Sequence, residues 1–316
     1  MGEKIGKVKM NLDYYGGEDL YSDGEVEEQL LKIVKSHREE EFPEIIMKEK
    51  SWPILYHLSK QRQYIIEWYP FEPEAAVFEV GAGCGAITGA LTRAVKKVVD
   101  NDLSNRRSMI NAYRNQNAGN LEIMVGNFNE VSAHTEEKFD YVTLIGVFEY
   151  AESYMGTCSP YDDFLTKIRG LLKAEGTVII AIENKLGLKY FAGCPEDHVG
   201  RPFEGLEGYP NTSGVKTFSK KELSELLEGN GFHEVQFYYP YPDYKLPTTI
   251  YSDSYLPKDG ELVNNQRNFD TDRIVLFDET RAFDSIIKAG LFPEFSNSFL
   301  VTAQKRGEQD AKSSIC

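Results

Sequence analysis

Short apolar runs alternate with helical patterns through the middle of the chain. Between residues 71 and 183, runs typical of buried strands are separated by stretches whose apolar residues recur every three or four positions. Repeated strand–helix–strand units build parallel sheets, so the pattern predicts a doubly wound α/β fold. The apolar segments 234–239 and 298–303 predict two later strands.

The residues before the first strand follow a different pattern. Residues 25–37 place their apolar side chains on one side, which predicts an amphipathic helix, and residues 61–68 predict a second helix that ends before Pro70. The polar stretch 1–23 is expected to be loosely ordered or docked on a partner. We therefore expect residues 1–70 to form a helical cap.

Capping residues mark the starts of three later helices. Ser104 is expected to cap one helix, and Pro160 is expected to open another. Ser219, with Glu222 three residues later, has the pattern of a capping box.

Three glycines on alternate positions follow the first predicted strand. The segment Val77–Val80 runs into Gly81, Gly83 and Gly85, and a helical pattern begins directly afterwards. A turn this sharp needs φ values that a Cβ disfavours, and a ligand that lies on the backbone leaves no room for side chains. The helix that follows offers unpaired N–H groups to an anionic ligand group. The segment therefore predicts a cofactor-binding turn.

The glycines alone do not decide which cofactor binds. The residues from Gly81 to Ala86 fit the G-x-G-x-x-A turn of dinucleotide-binding proteins. The next predicted strand ends in Asp102, whose carboxylate can accept hydrogen bonds from both hydroxyls of a ribose. Asp100, two residues earlier on that strand, is the second choice.

The order of further motifs resembles that of class I methyltransferases, which use S-adenosylmethionine. Glu79 and the three glycines fit E-x-G-x-G-x-G, the first motif of that family, and Asp102-Leu103-Ser104 resembles the end of its second strand. Later segments resemble its third, fourth and fifth strands and the helix before the sixth: 121–128, 139–150, 171–180 and 218–232. Each match is weak alone, and the ordered set is the signal.

The resemblance implies a Rossmann-like, doubly wound, mostly parallel sheet of seven strands with an antiparallel last strand. It implies S-adenosyl-L-methionine as cofactor, bound by Glu79, Gly81, Ala82, Gly83, Gly85, Asp102, Leu103, Asn127, Phe128, Gly146, Val147 and Arg62. In this set Asp102 holds the ribose, and Asn127, where an Asp is more usual, meets the adenine amine. Arg62 pairs with the methionine carboxylate, or is a solvated arginine on a helix face.

The resemblance also divides the chain. A methyltransferase domain is expected over residues 71–306, followed by a disordered tail at 307–316. Two stretches, 184–217 and 240–297, are longer than the sheet requires. Loops of this length are usually functional or have structure of their own. Because both leave the sheet near its ligand edge, we assign these insertions to substrate recognition.

Candidate catalytic residues lie at strand ends and in the first insertion: His198, Asp197 and Glu149. A hydroxyl nucleophile needs a base, and an imidazole is half neutral near its unperturbed pKa of about 6.5. The competing interpretation is that Asp197 and His198 hydrogen-bond the backbone of their own loop. Cys194 could join them in a metal site, but no partner pair at zinc spacing occurs, so no metal is predicted.

The acceptor is indicated by a second, narrower resemblance. Residues 238–247 are rich in tyrosine and proline, which suits either a sugar-binding surface or the packing of an extended segment. The segments 183–190, 195–198 and 239–247 resemble those of a bacterial methyltransferase group found with surface-glycan glycosyltransferases. This implies O-methylation of a glycan or another small-molecule acceptor, and an association with glycosyltransferases.

Composition limits the remaining partners. The 316 residues are 41% hydrophobic and 27% charged, and the net charge is −15. A surface this acidic repels phosphate backbones, so nucleic acid is a poor substrate. No apolar run is long enough to predict a membrane span. The four cysteines are widely scattered, which favours reduced thiols and a cytoplasmic protein.

Two other functions stay open at this point. The same glycine turn could serve an NAD(P)-dependent oxidoreductase on a Rossmann fold. The chain could also be a non-catalytic, methyltransferase-like binding module that keeps the sheet but lacks an acceptor site.

Overall fold

The chain divides into two compact units. The computed structural model describes residues 2–19, 24–265 and 273–307. The first unit comprises Met1–Leu144 and Lys167–Val178, and the second comprises Ile145–Thr166 and Ile179–Cys316. The predicted boundary at residue 70 falls inside the first unit, so a cap distinct from a catalytic domain stays a prediction.

The first unit is built on a mostly parallel sheet. Its strands are β1 (Gly2–Ile5), β2 (Val8–Tyr14), β3 (Ala76–Val80), β4 (Lys97–Asp102), β5 (Leu121–Gly126), β6 (Phe139–Ile145) and the first part of β7 (Leu172–Glu183). They lie in the order β1-β2-β5-β4-β3-β6-β7. The pairs β2–β5, β5–β4, β4–β3 and β3–β6 are parallel. The chain thus steps outward from β3 in one direction and then in the other, as the doubly wound prediction requires.

The two N-terminal strands correct the prediction for residues 1–23. β1 pairs with β2 in antiparallel fashion, and β2 joins the sheet beside β5. Val8 and Met10 are buried while Lys9 between them is exposed, which is the period-two pattern of a strand. Residues 20–23 lie outside the described residues.

Helices of the first unit pack into a core beside the sheet. They are α1 (Glu25–Ser36), α2 (Phe42–Glu49), α3 (Trp52–Leu58), α4 (Thr88–Ala94), α5 (Asn105–Arg114) and α6 (Phe128–His134). The helix predicted at 61–68 is a 3-10 helix, Lys60–Ile65. Leu30, Phe42, Ile54 and Ile110 lie in one buried cluster with Cys84. Cys84 is therefore a packing residue.

The second unit continues from β7 with antiparallel strands. Its elements are α7 (Ala151–Met155), the start of α8 (Pro160–Leu171), α9 (Leu188–Phe191), α10 (Lys220–Gly229), β8 (Phe232–Tyr241), β9 (Thr249–Ser252), α11 (Glu279–Lys288), α12 (Phe292–Phe295) and β10 (Ser298–Lys305). The strands lie in the order β7-β10-β8-β9, with β10 and β9 both antiparallel to β8. The antiparallel last strand is thus confirmed.

The described residues contain ten strands where seven were predicted. The excess consists of β1 and β2 at the N-terminus and β9 inside the segment 240–297. That segment also contains α11 and α12, whereas 184–217 contains only the short α9. Residues 308–316 of the predicted tail lie outside the described residues.

Local helix signals agree with the structure. Ser219 and Glu222 form the predicted capping box of α10, and the Ser104 side chain caps α5. Pro160 is the first residue of α8. None of the helices in the part of the chain that the structure describes has the length and apolar character needed to cross a bilayer.

Candidate functional site

The glycine turn of the first unit has the conformation that the sequence predicted. Gly81, Gly83 and Gly85 have φ angles of 67°, 55° and 71°. These lie in the left-handed region, which side chains with a Cβ rarely adopt. The Gly81 and Ala82 amides donate to the Asn101 carbonyl at 2.8 and 3.2 Å, which fastens the turn to β4.

Helix α5 leaves no room for a side chain at Gly85 and little room at Gly83. A Cβ on Gly85 would lie 2.2 Å from Asn111 Oδ1 and 3.0 Å from its Cα. A Cβ on Gly83 would lie 3.3 Å from the guanidinium of Arg107. The space next to Gly85 is therefore filled by the protein, not left for a ligand as the sequence argument assumed.

Asp102 at the end of β4 holds the turn directly. Its Oδ2 accepts a hydrogen bond from the Gly83 amide at 2.8 Å, and its Oδ1 accepts one from the Ser104 amide at 2.9 Å. A carboxylate oxygen has two lone pairs, so each oxygen can accept a further hydrogen bond. Leu103 beside it is half-buried. Asp102 thus fits both a structural role and the predicted contact with ribose hydroxyls.

A buried hydrogen-bond network lies next to the turn. Thr88 Oγ1 donates to Glu79 Oε2 at 2.7 Å, and Asn111 Nδ2 donates to Asp100 Oδ2 at 2.6 Å and to Thr88 Oγ1 at 3.2 Å. Burial raises the pKa of Glu79 to about 8, with a further contribution from the charge of Asp102. Burial and the charges of Glu79 and Asp102 also raise the pKa of Asp100 well above its usual value. Glu79 therefore supports the turn as a neutral acid at neutral pH.

The residues predicted to meet the adenine also have structural roles. Asn127 caps α6, because its Oδ1 accepts a hydrogen bond from the Asn129 amide at 2.8 Å. Phe128 is buried, with its ring centroid 6.5 Å from that of Phe78. One lone pair of the Asn127 oxygen is thus used within the protein, and the adenine contacts stay predictions.

Two arginines are candidates for the carboxylate of the cofactor. Arg62 is buried and its guanidinium lies 4.3 Å from the centre of the Tyr56 ring, which excludes the interpretation of a solvated arginine. Arg107, which the sequence argument missed, lies against Gly83 of the turn. Its signal was the four-residue spacing from Asn111, which places both on one face of α5.

Gly146 and Val147 belong to the second unit. The Gly146 amide donates to the Ala181 carbonyl at 2.9 Å, and its φ is 69°. A Cβ there would lie 2.8 Å from Tyr244 Oη. Val147 is buried. Their predicted contact with the cofactor is not tested by these local contacts.

A buried group of charged residues lies in the second unit. This acidic cluster consists of Glu149, Glu183, Glu196, Asp197 and Asp243 with Lys189, Lys245 and His198. His198 Nδ1 lies 2.8 Å from Glu196 Oε1, and its Nε2 lies 3.5 Å from Glu149 Oε1 and 3.6 Å from Glu183 Oε2. Three catalytic candidates of the sequence, His198, Asp197 and Glu149, are thus brought together.

The surroundings of His198 disfavour the neutral imidazole that a general base requires. Burial lowers the pKa of His198, but the carboxylates of Glu183, Glu149 and Glu196 raise it well above its usual value. This shift favours the protonated imidazole unless another cation replaces the proton. A protonated ring has no lone pair with which to act as a base.

Asp197 is also a poor base. Its Oδ2 lies 2.7 Å from Lys189 Nζ and accepts a hydrogen bond from Tyr190 Oη at 2.6 Å, and its Oδ1 lies 2.7 Å from Lys245 Nζ. Burial raises the pKa of Asp197, but the two lysines hold it well below its usual value. The alternative that Asp197 is a structural residue is therefore favoured, with lysine side chains as its partners.

Glu149 differs from these residues in its hydrogen bonding. Its side chain is buried, and its Oε2 has no hydrogen-bond partner among the described residues. Burial raises the pKa of Glu149. Of the three predicted catalytic residues, Glu149 alone has a buried side-chain oxygen that accepts no hydrogen bond within the described part of the chain.

Packing in the second unit bears on two other hypotheses from the sequence. Tyr239, Tyr241 and Tyr244 are buried, which favours the packing interpretation of residues 238–247 over a sugar-binding surface. Cys194 Sγ accepts a hydrogen bond from Arg273 at 2.5 Å, which removes it from the hypothetical metal set with Asp197 and His198.

Comparison with known proteins gives one family match. Residues 78–180 match the family model described as a methyltransferase domain. This segment runs from β3 to β7 and contains the glycine turn, Asp102 and Asn127. No protein of curated function matches the chain at a significant level.

Solved structures of low sequence identity are also similar to the chain. One is an S-adenosylmethionine-dependent methyltransferase of Thermotoga maritima, a possible histamine N-methyltransferase, with 14% identity over 85% of this chain and 100% of that chain, and a TM-score of 0.45. Another is an S-adenosylmethionine-dependent methyltransferase of Archaeoglobus fulgidus, with 14% identity over 79% and 94% of the two chains and a TM-score of 0.48. A third is phosphoethanolamine N-methyltransferase 1 of Haemonchus contortus with S-adenosylhomocysteine, with 13% identity over 88% and 51% and a TM-score of 0.47.

The family match agrees with the methyltransferase interpretation of the turn and does not favour a nicotinamide enzyme. The residues of the first unit also fit the cofactor, since three left-handed glycines lie beside an acid that ends the neighbouring strand. The glycine turn, Asp102 and the matched domain identify the chain as an enzyme, an S-adenosylmethionine-dependent methyltransferase.

Proposed function

We propose that this enzyme methylates a hydroxyl oxygen of a carbohydrate-linked or other small polar acceptor in the cytoplasm. The observation that carries the proposal is the Glu149 carboxylate, which is buried and has one oxygen without a hydrogen-bond partner among the described residues. Such an oxygen can accept the hydrogen bond, and then the proton, of an acceptor hydroxyl. The cysteines Cys84, Cys158 and Cys194 are free, which supports a reducing compartment.

The first unit is proposed to hold the cofactor. Asp102 accepts hydrogen bonds from the ribose hydroxyls, while its present bonds to the Gly83 and Ser104 amides keep it in place. Asn127 and Phe128 meet the adenine. The methionine carboxylate pairs with Arg62 or Arg107, the second of which lies against the turn. The remaining proposed cofactor contacts in the first unit are Gly81, Ala82, Gly85 and Leu103, with Glu79 as support for the turn. Cofactor contacts of Gly146 and Val147 in the second unit stay predictions of the family resemblance.

The protein has two main tasks in this reaction, which are to align the reactants and to supply a base. S-adenosylmethionine supplies an electrophilic methyl group on a sulfonium. Transfer of this methyl group to an acceptor oxygen would leave S-adenosylhomocysteine, and the acceptor hydroxyl would need a base to take its proton. Glu149 is the proposed base, and Asp197 is a positioning residue whose ion pairs with Lys189 and Lys245 fix the surrounding loops.

The proposal is tested by presenting acceptors to the full chain with S-adenosylmethionine. The panel contains nucleotide sugars, simple glycosides and, for comparison, primary amines, and the products are S-adenosylhomocysteine and a methylated acceptor detected by mass spectrometry and NMR. We expect a methyl ether on a hydroxylated acceptor. Transfer to amines alone would contradict O-methylation, and cofactor binding without any transfer would favour the non-catalytic alternative.

Paired variants test the role of Glu149. Glu149→Gln should lower kcat by roughly 100-fold or more, since positioned bases contribute about 10²–10⁴-fold, with S-adenosylhomocysteine affinity unchanged. Glu152→Gln is the matched control, because Glu152 is exposed on the adjoining helix α7. Equal rates in the two variants would remove Glu149 from the mechanism.

A further inference from the structure

We propose that Glu149, Glu183 and His198 bind one divalent metal ion in the second unit. The three residues each offer one ligand atom, and these atoms lie within 4.8 Å of one another. Glu149 belongs to the 3-10 helix Phe148–Tyr150, Glu183 ends β7, and His198 lies in the loop after α9. The inference concerns metal binding and does not depend on which acceptor is methylated.

The distances within the cluster fit a shared cation better than direct hydrogen bonds. His198 Nε2 lies 3.5 Å from Glu149 Oε1 and 3.6 Å from Glu183 Oε2. A charged N–H···O bond is about 2.7–2.9 Å long, so both separations are too long for a strong bond. Ligand atoms bound at about 2.0–2.2 Å in tetrahedral geometry lie about 3.3–3.6 Å apart, which agrees with both.

The other nitrogen of His198 is held as in known metal sites. His198 Nδ1 lies 2.8 Å from Glu196 Oε1, and the Glu196 carboxylate accepts further bonds from the His198 and Val199 amides and from Tyr209 Oη. A metal-binding histidine almost always donates its second N–H to a carboxylate or carbonyl, which directs the free lone pair of the other nitrogen at the metal. Glu196 therefore orients His198 with Nε2 towards Glu149 and Glu183.

The carboxylates have unused acceptor capacity. Glu149 is 1% exposed and Glu183 is 0% exposed. Among the residues that the structure describes, Glu183 Oε2 accepts no hydrogen bond. Glu149 faces His198 through Oε1, so it can offer Oε1 to the metal and keep Oε2 for the acceptor hydroxyl. A buried carboxylate oxygen that lacks a partner is costly, and a metal ion would satisfy it.

The acidic cluster also carries an excess of negative charge, which a divalent cation would partly neutralise. Five carboxylates, those of Glu149, Glu183, Glu196, Asp197 and Asp243, face two lysines, Lys189 and Lys245. Lys245 Nζ lies 2.6 Å from Glu183 Oε1, so Oε2 of the same group faces His198. With His198 neutral, a divalent ion brings the net charge of this group from about −3 to about −1, which reduces the cost of burying it.

The ligand set indicates the class of metal. Two carboxylate oxygens and one imidazole nitrogen suit Zn²⁺, Mn²⁺ or Fe²⁺, whereas Ca²⁺ and Mg²⁺ prefer oxygen alone. Three protein ligands leave at least one coordination position open for water or another oxygen ligand.

Metal binding is measured on the full chain after dialysis against a chelator. Calorimetric titration with MnCl₂ and ZnCl₂, with MgCl₂ as comparator, gives stoichiometry and affinity without cofactor or acceptor. We expect one equivalent of Mn²⁺ or Zn²⁺ to bind more tightly than Mg²⁺. Pulsed EPR of the Mn²⁺ complex should show coupling to a histidine nitrogen, which requires no variant.

Variants then locate the site. Glu183→Gln and His198→Asn should weaken binding by more than 100-fold, and Glu196→Gln by about 10- to 100-fold, as is usual for a residue that orients a metal ligand. Glu152→Gln should bind as the unchanged chain does. S-adenosylhomocysteine titration of each variant checks that the first unit is folded.

The possible results separate this inference from the proposed function. No binding of Mn²⁺ or Zn²⁺ by the unchanged chain, or binding that survives in both ligand variants, would overturn the metal site. Histidine coupling absent from the Mn²⁺ spectrum would do the same. Methyl transfer that persists after chelation, in a chain that still binds the metal at one equivalent, would leave the site intact as a structural one.

Discussion

Asp102 and Asp100 provide the sharpest test of the cofactor site, because they lie two residues apart on β4 and have different surroundings. Asp102 contacts the glycine turn through the Gly83 amide. Asp100 is fully buried and accepts a hydrogen bond from Asn111 Nδ2 at 2.6 Å. We therefore compare Asp102→Asn with Asp100→Asn, two substitutions of the same size and chemistry.

The expected difference follows from the number of charged hydrogen bonds. Each oxygen of Asp102 already accepts one amide and retains a lone pair for one ribose hydroxyl. Hydrogen bonds to a charged group contribute about 1.5–3 kcal/mol each. Asparagine keeps one acceptor and loses the charge, so Asp102→Asn should cost about 2–3 kcal/mol of binding, which is about a 30- to 150-fold weaker affinity for S-adenosylhomocysteine.

Asp100→Asn should have a much smaller effect. Burial and the nearby carboxylates of Glu79 and Asp102 raise the pKa of Asp100 well above its usual value, which favours the neutral acid. Asparagine is also neutral, and its oxygen can still accept the Asn111 hydrogen bond. We expect the affinity to change by no more than about threefold, which corresponds to roughly 0.6 kcal/mol.

Isothermal titration calorimetry with S-adenosylhomocysteine measures both affinities at neutral pH, and urea unfolding of the cofactor-free proteins separates binding from stability. Asp102→Asn also removes an acceptor from a backbone amide, so some loss of stability is expected. Equal affinities in the two variants would refute the assignment of Asp102 to the ribose, even if Asp102→Asn were less stable.

Two further predictions concern stability. Gly85→Ala should lower the free energy of unfolding by roughly 2–4 kcal/mol, because φ is 71° and the new Cβ would lie 2.2 Å from Asn111 Oδ1. Urea unfolding measures this change. The control is Gly170→Ala in α8, which should not destabilise the protein, because the added Cβ would meet nothing within 4 Å. Glu79 has a pKa of about 8 when folded, against an ordinary value of 4.5, so the cofactor-free protein should lose stability as the pH rises from about 4.5 to 8. Glu79→Gln does not titrate, so its stability relative to the unchanged chain should rise over that window by up to about 1.4 kcal/mol per pH unit; parallel curves for the two proteins would contradict the neutral Glu79.

The sequence determined the features that depend on neighbouring residues. The capping box of Ser219 and Glu222, the Ser104 cap and the left-handed glycines all arise within a few residues of chain, so their chemistry is visible as a pattern. Alternating strands and helices likewise predicted the doubly wound sheet around β3. The strand β2 was missed although Val8 and Met10 alternate with polar residues, because these two are the only buried residues of the strand and give a weak signal.

Only the tertiary structure decided the protonation and partners of the site residues. His198 was a reasonable base from its sequence, but Glu149, Glu183 and Glu196 come from separate segments and together keep it protonated or bound to another cation. Asn111 fills the space beside Gly85, and this contact also joins separate segments, because Asn111 lies on α5, the helix that follows β4. Burial and long-range charge control a pKa, and neither is encoded in the spacing of nearby residues.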